Sequence, residues 1–344
     1  MASARAYIGS FTSAGGHGIR AAALDPRTGA LTPLGATDAV TDPSYLALAP
    51  GGEILYAVSE TDDGAVAALS VRGDVPELLA PSAPVHGSGP THLALVAGQV
   101  LTANYGSGSV SCLPLGADAA PRAGHVLQHR GAGPDPDRQD GPHAHQVLAA
   151  PGGGWILTVD LGTDTVAVCA LLDGTLDVRR EVALRPGSGP RHLAFHPDGD
   201  TVYVLNELAP TLTVCHWDPV EGVLTPGAEV PVLPAEPSGD AYPSEVVVAP
   251  DGRFVWTATR GQDVISVLAV TPEADGGPGV RLVTTVDCGG HWPRDLALHP
   301  SGRFLYAANE RSGDVTWFDI DPDTGIPRRG GSVDALAASC VVFG

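Results

Sequence analysis

Short apolar runs, each broken by Gly, Pro, Asp or Asn, recur along the whole chain. This is the pattern of many short strands joined by tight turns. Six segments open alike, at Pro43, Pro90, Pro142, Pro190, Pro243 and Pro293. Their spacing of about 50 residues, with several strands in each unit, is the period of a propeller blade. After each proline comes a short apolar strand, then a turn such as Pro-Asp-Gly at Pro197 to Gly199. A second strand follows: Leu55 to Ser59, Val100 to Asn104, Ile156 to Asp160, Val202 to Asn206, Val255 to Thr259 and Leu305 to Asn309. A third strand reads Val264 to Val267 or Val315 to Phe318. A Gly-containing turn such as Asp321 to Gly325 leads to a fourth. Four strands per unit make a blade.

The two ends complete the count. Tyr7 to Ser10 matches a second strand that lacks its first, and Leu24 to Gly29 matches the turn before a fourth. Ser339 to Phe343, at the other terminus, reads as the missing first strand. The sequence therefore predicts an all-β, seven-bladed propeller with four-stranded blades. Its ring is closed by pairing the C-terminal strand with the N-terminal segment, which removes an open edge. A six-bladed ring with frayed ends is the alternative. No composition break divides residues 1–344, so one domain is expected. One unit has lost its Pro-x-Gly turn, between Leu95 and Gln99. The longest polar insert, Gly131 to Gly141, precedes Pro142, and loops of this kind often border functional sites.

Composition narrows the function. Gly 44 and Pro 31 fit the many turns. No apolar run approaches the ~18 residues needed to span a bilayer, and the N-terminus has no apolar signal region. A cytoplasmic protein is expected. The five cysteines, Cys112, Cys169, Cys215, Cys288 and Cys340, form no CxxC pair, which argues against a disulfide framework or zinc site. The net charge of -20 disfavours nucleic acid and anionic membranes as partners. All 19 cationic residues are Arg, so Schiff-base chemistry on Lys is excluded.

Strands one and two of a blade are antiparallel, so the start of one and the end of the other meet at one rim of the channel. Those positions hold Ser44, Tyr45, Thr91, His92, His143, His145, Arg191, His192, Ser244, Glu245, Arg294 and Asp295 from first strands. Second strands add Ser59, Glu60, Asn104, Tyr105, Asp160, Asn206, Glu207, Thr259, Arg260, Asn309 and Glu310. An Arg-His-carboxylate group suits acid–base work on an anionic substrate. Asn104, Asp160, Asn206 and Asn309 recur at one repeat position, and so do His92 and His192. Recurrence favours a structural role. His196 and His299 sit beside turns. His143, His145, Arg191, Glu207, Glu245, Arg260 and Arg294 do not repeat and are the better site candidates. His143 and His145, two apart, could form a metal half-site, but nearby Arg residues disfavour a cation. Phosphate-loop, nucleophile-elbow and dinucleotide motifs are missing from the sequence.

Several segments together resemble the bacterial lactonase family, which takes in propeller-type 6-phosphogluconolactonases and carboxy-cis,cis-muconate lactonising enzymes. They are Tyr7 to Thr12, Gly141 to His145, Gly189 to Gly199, Asn206-Glu207, Pro243 to Glu245, Arg260-Gly261 and Pro293-Arg294 through Ile320. The resemblance spans essentially the whole chain. It implies a seven-bladed propeller without a required metal or cofactor. In the muconate-cyclising members it implies a site of one His, two Arg and one Glu. The matching residues are His145, Arg191, Glu207 and Arg260, expected to be catalytic, with His143, Glu245, Arg294 and Asn206 as substrate-binding neighbours. Phe11 stands where many relatives have Tyr. The implied activity is hydrolysis of a small anionic lactone of the 6-phosphogluconolactone kind. There Arg191 and Arg260 would clamp the anion, His145 would be the base, and Glu207 would orient it or act as acid. A muconate-type cycloisomerase and a non-catalytic binding platform are the alternatives.

Overall fold

In the computed structural model, residues 4–272 and 278–344 are described, and they contain strands and turns but no helix. The strands form seven sheets in a ring, a seven-bladed propeller. The closing sheet runs in the order Ala338–Phe343, Arg5–Ser10, Ile19–Leu24, Leu31–Thr37. Ala6 pairs with Phe343 and Gly9 with Cys340, so the last strand of the chain is the inner strand of the first blade. The expected closure and seven blades therefore hold, and the six-bladed alternative does not. The second blade is the irregular one. Two short pieces, Glu77–Leu78 and Ala83–Pro84, share the place of its outermost strand.

Each sheet is apolar on both faces because each is sandwiched between neighbours. Seven hydrophobic clusters result, one at each blade-to-blade boundary. The second strands are buried along their whole length, as at Val100–Asn104 and Val202–Asn206. This is why they read as continuous rather than alternating apolar runs. An aromatic residue at one repeat position latches three of the blades to the next. Tyr56 Oη donates to Ala119 O at 2.8 Å, Trp256 Nε1 to Gly325 O at 2.7 Å, and Tyr306 Oη to Gly29 O at 2.7 Å. Buried aromatics with a polar tip do this well. The unit without a Pro-x-Gly turn uses a two-residue hairpin instead. Ala97 and Gly98 both have positive φ, 47° and 76°, as a turn matching the strand twist requires.

The proline alignment needs one correction. In the fourth blade it is Ala144 that pairs with the last residue of the second strand, Asp160, as Pro190 pairs with Asn206 and Pro293 with Asn309. Pro142 lies two residues before the equivalent position, so it marks the polar insert's end rather than the strand's start.

Candidate active site

A β-bulge builds the site. In six of the seven inner strands the register with the second strand slips at the same place, leaving one residue unpaired: Thr91, His145, Arg191, Ser244, Arg294 and Ser339. A bulge puts two residues opposite one and re-aims their side chains. Here the second residues are His92, Gln146, His192, Glu245, Asp295 and Cys340. Contacts between non-adjacent blades show where the side chains go. His92 and His192, two blades apart, have ring centroids 5.4 Å from each other, and His192 lies 5.1 Å from His145. Tyr45 stacks at 4.1 Å on His92. Such meetings require both layers to face the central axis. The bulged residues form an upper layer and their successors a lower one.

Above the bulges lie the ends of the second strands. Glu207 collects three guanidiniums. Its Oε1 accepts from Arg138 Nη2 at 2.5 Å, while its Oε2 lies 3.1 Å from Arg191 Nε and 2.8 Å from Arg260 Nη2. Burial alone would raise this carboxyl, but Arg260, Arg191 and Arg138 outweigh it and hold the pKa at about 2. Arg138 comes from the polar insert, which therefore does border the site. Arg294 faces Glu60 at 3.3 Å and Glu310 at 3.6 Å, with Phe11 beneath its guanidinium. Four guanidiniums thus meet three rim carboxylates, a local balance opposite in sign to the acidic chain as a whole. Within the low-dielectric channel the near charges dominate over surface ones.

Arg191 Nε and Arg260 Nη2 both face Glu207 Oε2, at 3.1 Å and 2.8 Å, and both residues are buried. Three guanidiniums sharing one carboxylate leave a net positive charge that suits an anionic ligand. His145 Nδ1 and His192 Nε2 are buried without a partner among the described residues. Burial, then the charge of Arg191, keeps both imidazoles well below the usual histidine range. Each is neutral at pH 7.

The expected residues do not all converge. His145, Arg191, Glu207, Arg260, Arg294 and Glu245 line the channel. His143 sits beside it, stacked on Tyr105 at 4.5 Å, with Nδ1 against Tyr105 O and Nε2 3.4 Å from Asp140. Both of its ring nitrogens thus face protein oxygens. Asn206 is a correction. Its Nδ2 donates to Thr211 and Thr213, each at 3.0 Å, and to Glu229 at 3.2 Å, inside its own blade. It braces the strand ends, as Asn104 does with Ser109 and Ser111, and does not reach the channel. Three guanidiniums around Glu207 hold its carboxyl below the ordinary range, which favours its orienting part over that of acid.

Three site residues escaped the sequence reading. Arg138 lay in a loop with no repeat to place it. His192 was set aside because it recurs with His92, yet its Nδ1 lies 2.6 Å from Glu245 Oε2. Trp292 occupies positive φ at 65°, a strained conformation for a bulky residue. Its ring carries Arg260 at 5.7 Å and Arg311 at 3.3 Å. Other inner strands are entered through Gly89 or Gly189 at this position, both with positive φ.

Comparison with known proteins agrees with this fold. The family model described as "Lactonase, 7-bladed beta-propeller" matches residues 5–343. A 6-phosphogluconolactonase of Bacillus subtilis is 33% identical over 324 residues, covering 93% of this chain and 92% of its own. The structure of a periplasmic gluconolactonase of Pseudomonas aeruginosa superposes with a TM-score of 0.91 at 28% identity, covering 99% of this chain and 98% of that one. A Lactobacillus plantarum protein superposes with a TM-score of 0.92 at 30% identity over 99% of each chain.

Proposed function

The chain belongs to the seven-bladed β-propeller lactonase family, and from that premise we propose that it hydrolyses a small anionic sugar lactone of the 6-phosphogluconolactone kind without a metal ion. The observation that supports the reading is the cluster of buried guanidiniums, Arg191, Arg260 and Arg138, gathered on the single carboxylate of Glu207 at the channel mouth. Arg is suited to phosphate and carboxylate through its planar fork.

The residues divide the work as follows. Arg260 and Arg191 hold the anionic group and the carbonyl oxygen on which charge develops. His145 is neutral, so its free nitrogen accepts a proton from water as the oxygen attacks the lactone carbonyl. In the empty site the guanidiniums weaken it as a base. A bound phosphate cancels part of that field and raises its basicity, so the substrate itself activates the base. Glu207 fixes the three guanidiniums rather than moving a proton. The five cysteines are unpaired and buried, which fits a reducing compartment such as the cytoplasm.

The binding-platform reading does not account for neutral, buried imidazoles at the axis beside the guanidinium cluster. The cyclising reading draws on the same residues and has no separate observation in its favour. Rates with freshly prepared 6-phosphogluconolactone and with unphosphorylated δ-gluconolactone, each corrected for spontaneous hydrolysis, test the proposal. The expected result is turnover of both, with the phosphorylated lactone favoured through a lower KM. No acceleration of either would end it, and equal KM values would remove the anion clamp from it.

A further inference from the structure

Below the Arg cluster the channel narrows onto His192, Glu245 and Asp295. His192 and Glu245 are joined through Nδ1 and Oε2 at 2.6 Å. Glu245 and Asp295 lie close enough for each carboxyl to shift the pKa of the other. Both carboxyls also line a cavity of about 370 Å³ that opens on the opposite face of the ring, between Tyr45, Leu296 and Phe343. The remaining oxygens are held by backbone: Glu245 Oε1 by Val246 N and Asp295 Oδ2 by Val341 N, each at 2.9 Å. The column thus runs along the axis, from the unpartnered Nε2 of His192 beside His145 down to a second opening.

Lactone hydrolysis needs two proton movements. One proton leaves the attacking water. Another must reach the ring oxygen when its bond to the carbonyl carbon breaks, because an alkoxide is a poor leaving group. Resting on the hydrolytic reading above, we propose that His192 is the group that protonates the ring oxygen, and that Glu245 and Asp295 hold the proton it passes on. His145 takes the proton from water and the tetrahedral intermediate forms. As it collapses, the carbon–oxygen bond breaks and the ring oxygen takes the Nε2 proton of His192. The Glu245 carboxyl proton moves to Nδ1 in the same event, so the imidazole stays neutral throughout. The acid product then ionises, and His145 and the carboxylic acid together release two protons; one of them restores Nε2–H of His192 while the Nδ1 proton goes back to Glu245. The net change is one water consumed and one proton released.

The surroundings explain why a relay is needed. His192 is too depressed by burial and by Arg191 to hold a positive charge, so it cannot donate as an imidazolium. A neutral imidazole donates only if a proton arrives at its other nitrogen. Burial raises Glu245 to about 7 and Asp295, which also faces the charge of Glu245, to about 8. The pair therefore retains a proton at neutral pH. Every inner strand contributes to this environment: Tyr45, His92, His145, Arg191, Glu245 itself, Arg294 and Cys340. Glu207, Arg260, Glu60 and Glu310 stand above it.

The pH dependence of kcat with fresh 6-phosphogluconolactone tests the relay. In the wild type kcat should fall as the pH rises through about 8, where the pair loses its last proton. Asp295→Asn leaves Glu245 as the only store, so the fall should move down by roughly one pH unit, toward about 7. Glu245→Gln should lower kcat on the order of 100-fold and abolish the alkaline fall. Binding of inorganic phosphate and the melting temperature should stay near wild type in both. An unchanged alkaline fall in Asp295→Asn overturns the relay. If that variant does not fold, an alkaline fall kept in Glu245→Gln overturns it. Absence of turnover in the wild type would instead defeat the hydrolytic reading.

Discussion

Glu207 Oε2 lies 2.8 Å from Arg260 Nη2, although Glu207 follows the second strand of one blade and Arg260 ends that of the next. The pair spans a blade boundary at the mouth of the channel and fixes the spacing of the anion clamp. Arg138 and Arg191 complete the arrangement around the same carboxylate.

Glu207→Gln keeps the shape and removes the charge. A buried ion pair that loses one partner costs about 3–5 kcal/mol, so the variant should unfold at a clearly lower temperature. Its kcat/KM should fall on the order of 100-fold as the guanidiniums separate. The pH dependence carries the sign. The folded pKa of about 2 is depressed from the ordinary 4.5. The stabilisation is therefore present above about 4.5 and is lost as pH falls toward about 2. Chemical denaturation at pH 7 and pH 3 should show a larger acid-induced loss in the wild type than in Glu207→Gln, by about 2–3 kcal/mol.

Arg260→Lys retains the charge and loses the fork. Its guanidinium is held over Tyr242 and Trp292 and donates Nε to Tyr242 O at 3.2 Å, contacts a Lys ammonium does not reproduce. Steady-state kinetics should show KM for the phosphorylated lactone raised roughly 10-fold or more, with a smaller change for δ-gluconolactone. Equal effects on both lactones would separate Arg260 from the phosphate.

Trp292→Gly relieves a backbone strained at positive φ and removes the ring under Arg260. Relief of such strain is worth about 1 kcal/mol or more, which offsets part of the lost packing. Melting temperature should move little while KM rises. A large loss of stability with unchanged KM would make Trp292 a packing residue only.

Tyr306→Phe removes the 2.7 Å bond to Gly29 O that ties the seventh blade to the closing one. The cost should be about 1 kcal/mol in equilibrium unfolding, with kinetics unchanged. Removing residues 338–344 takes away the whole inner strand of the closing blade and should leave no cooperative unfolding transition.

The ring was legible in the sequence because blades repeat, and because Ser339 to Phe343 and Tyr7 to Ser10 were complementary halves of one unit. The rim set was legible because strand direction alone assigns it. The bulge was not. Nothing in Pro-Arg-His at Pro190 to His192 says that two successive side chains share one direction, since a regular strand would alternate them. That omission put His192 among structural residues and left its bond to Glu245 unseen. Repeat position also read Asn206 as a strand brace, which its amide contacts to Thr211 and Thr213 fit. Arg138 was beyond reach because its loop has no counterpart in other blades. The proline at 142 misaligned one unit by two residues, yet His145 remained at the rim because rim membership tolerates a shift that layer assignment does not.

Hydrolysis of freshly prepared 6-phosphogluconolactone by the wild type and by Arg191→Gln, followed against the spontaneous rate at pH 7, is the most direct measurement. Arg191 is buried, meets Glu207 and occupies a bulge position. A site built on its guanidinium should give clear acceleration in the wild type and at least a 100-fold loss of kcat/KM in a folded Arg191→Gln. A wild type no faster than buffer, or a variant as active as the wild type, would contradict it.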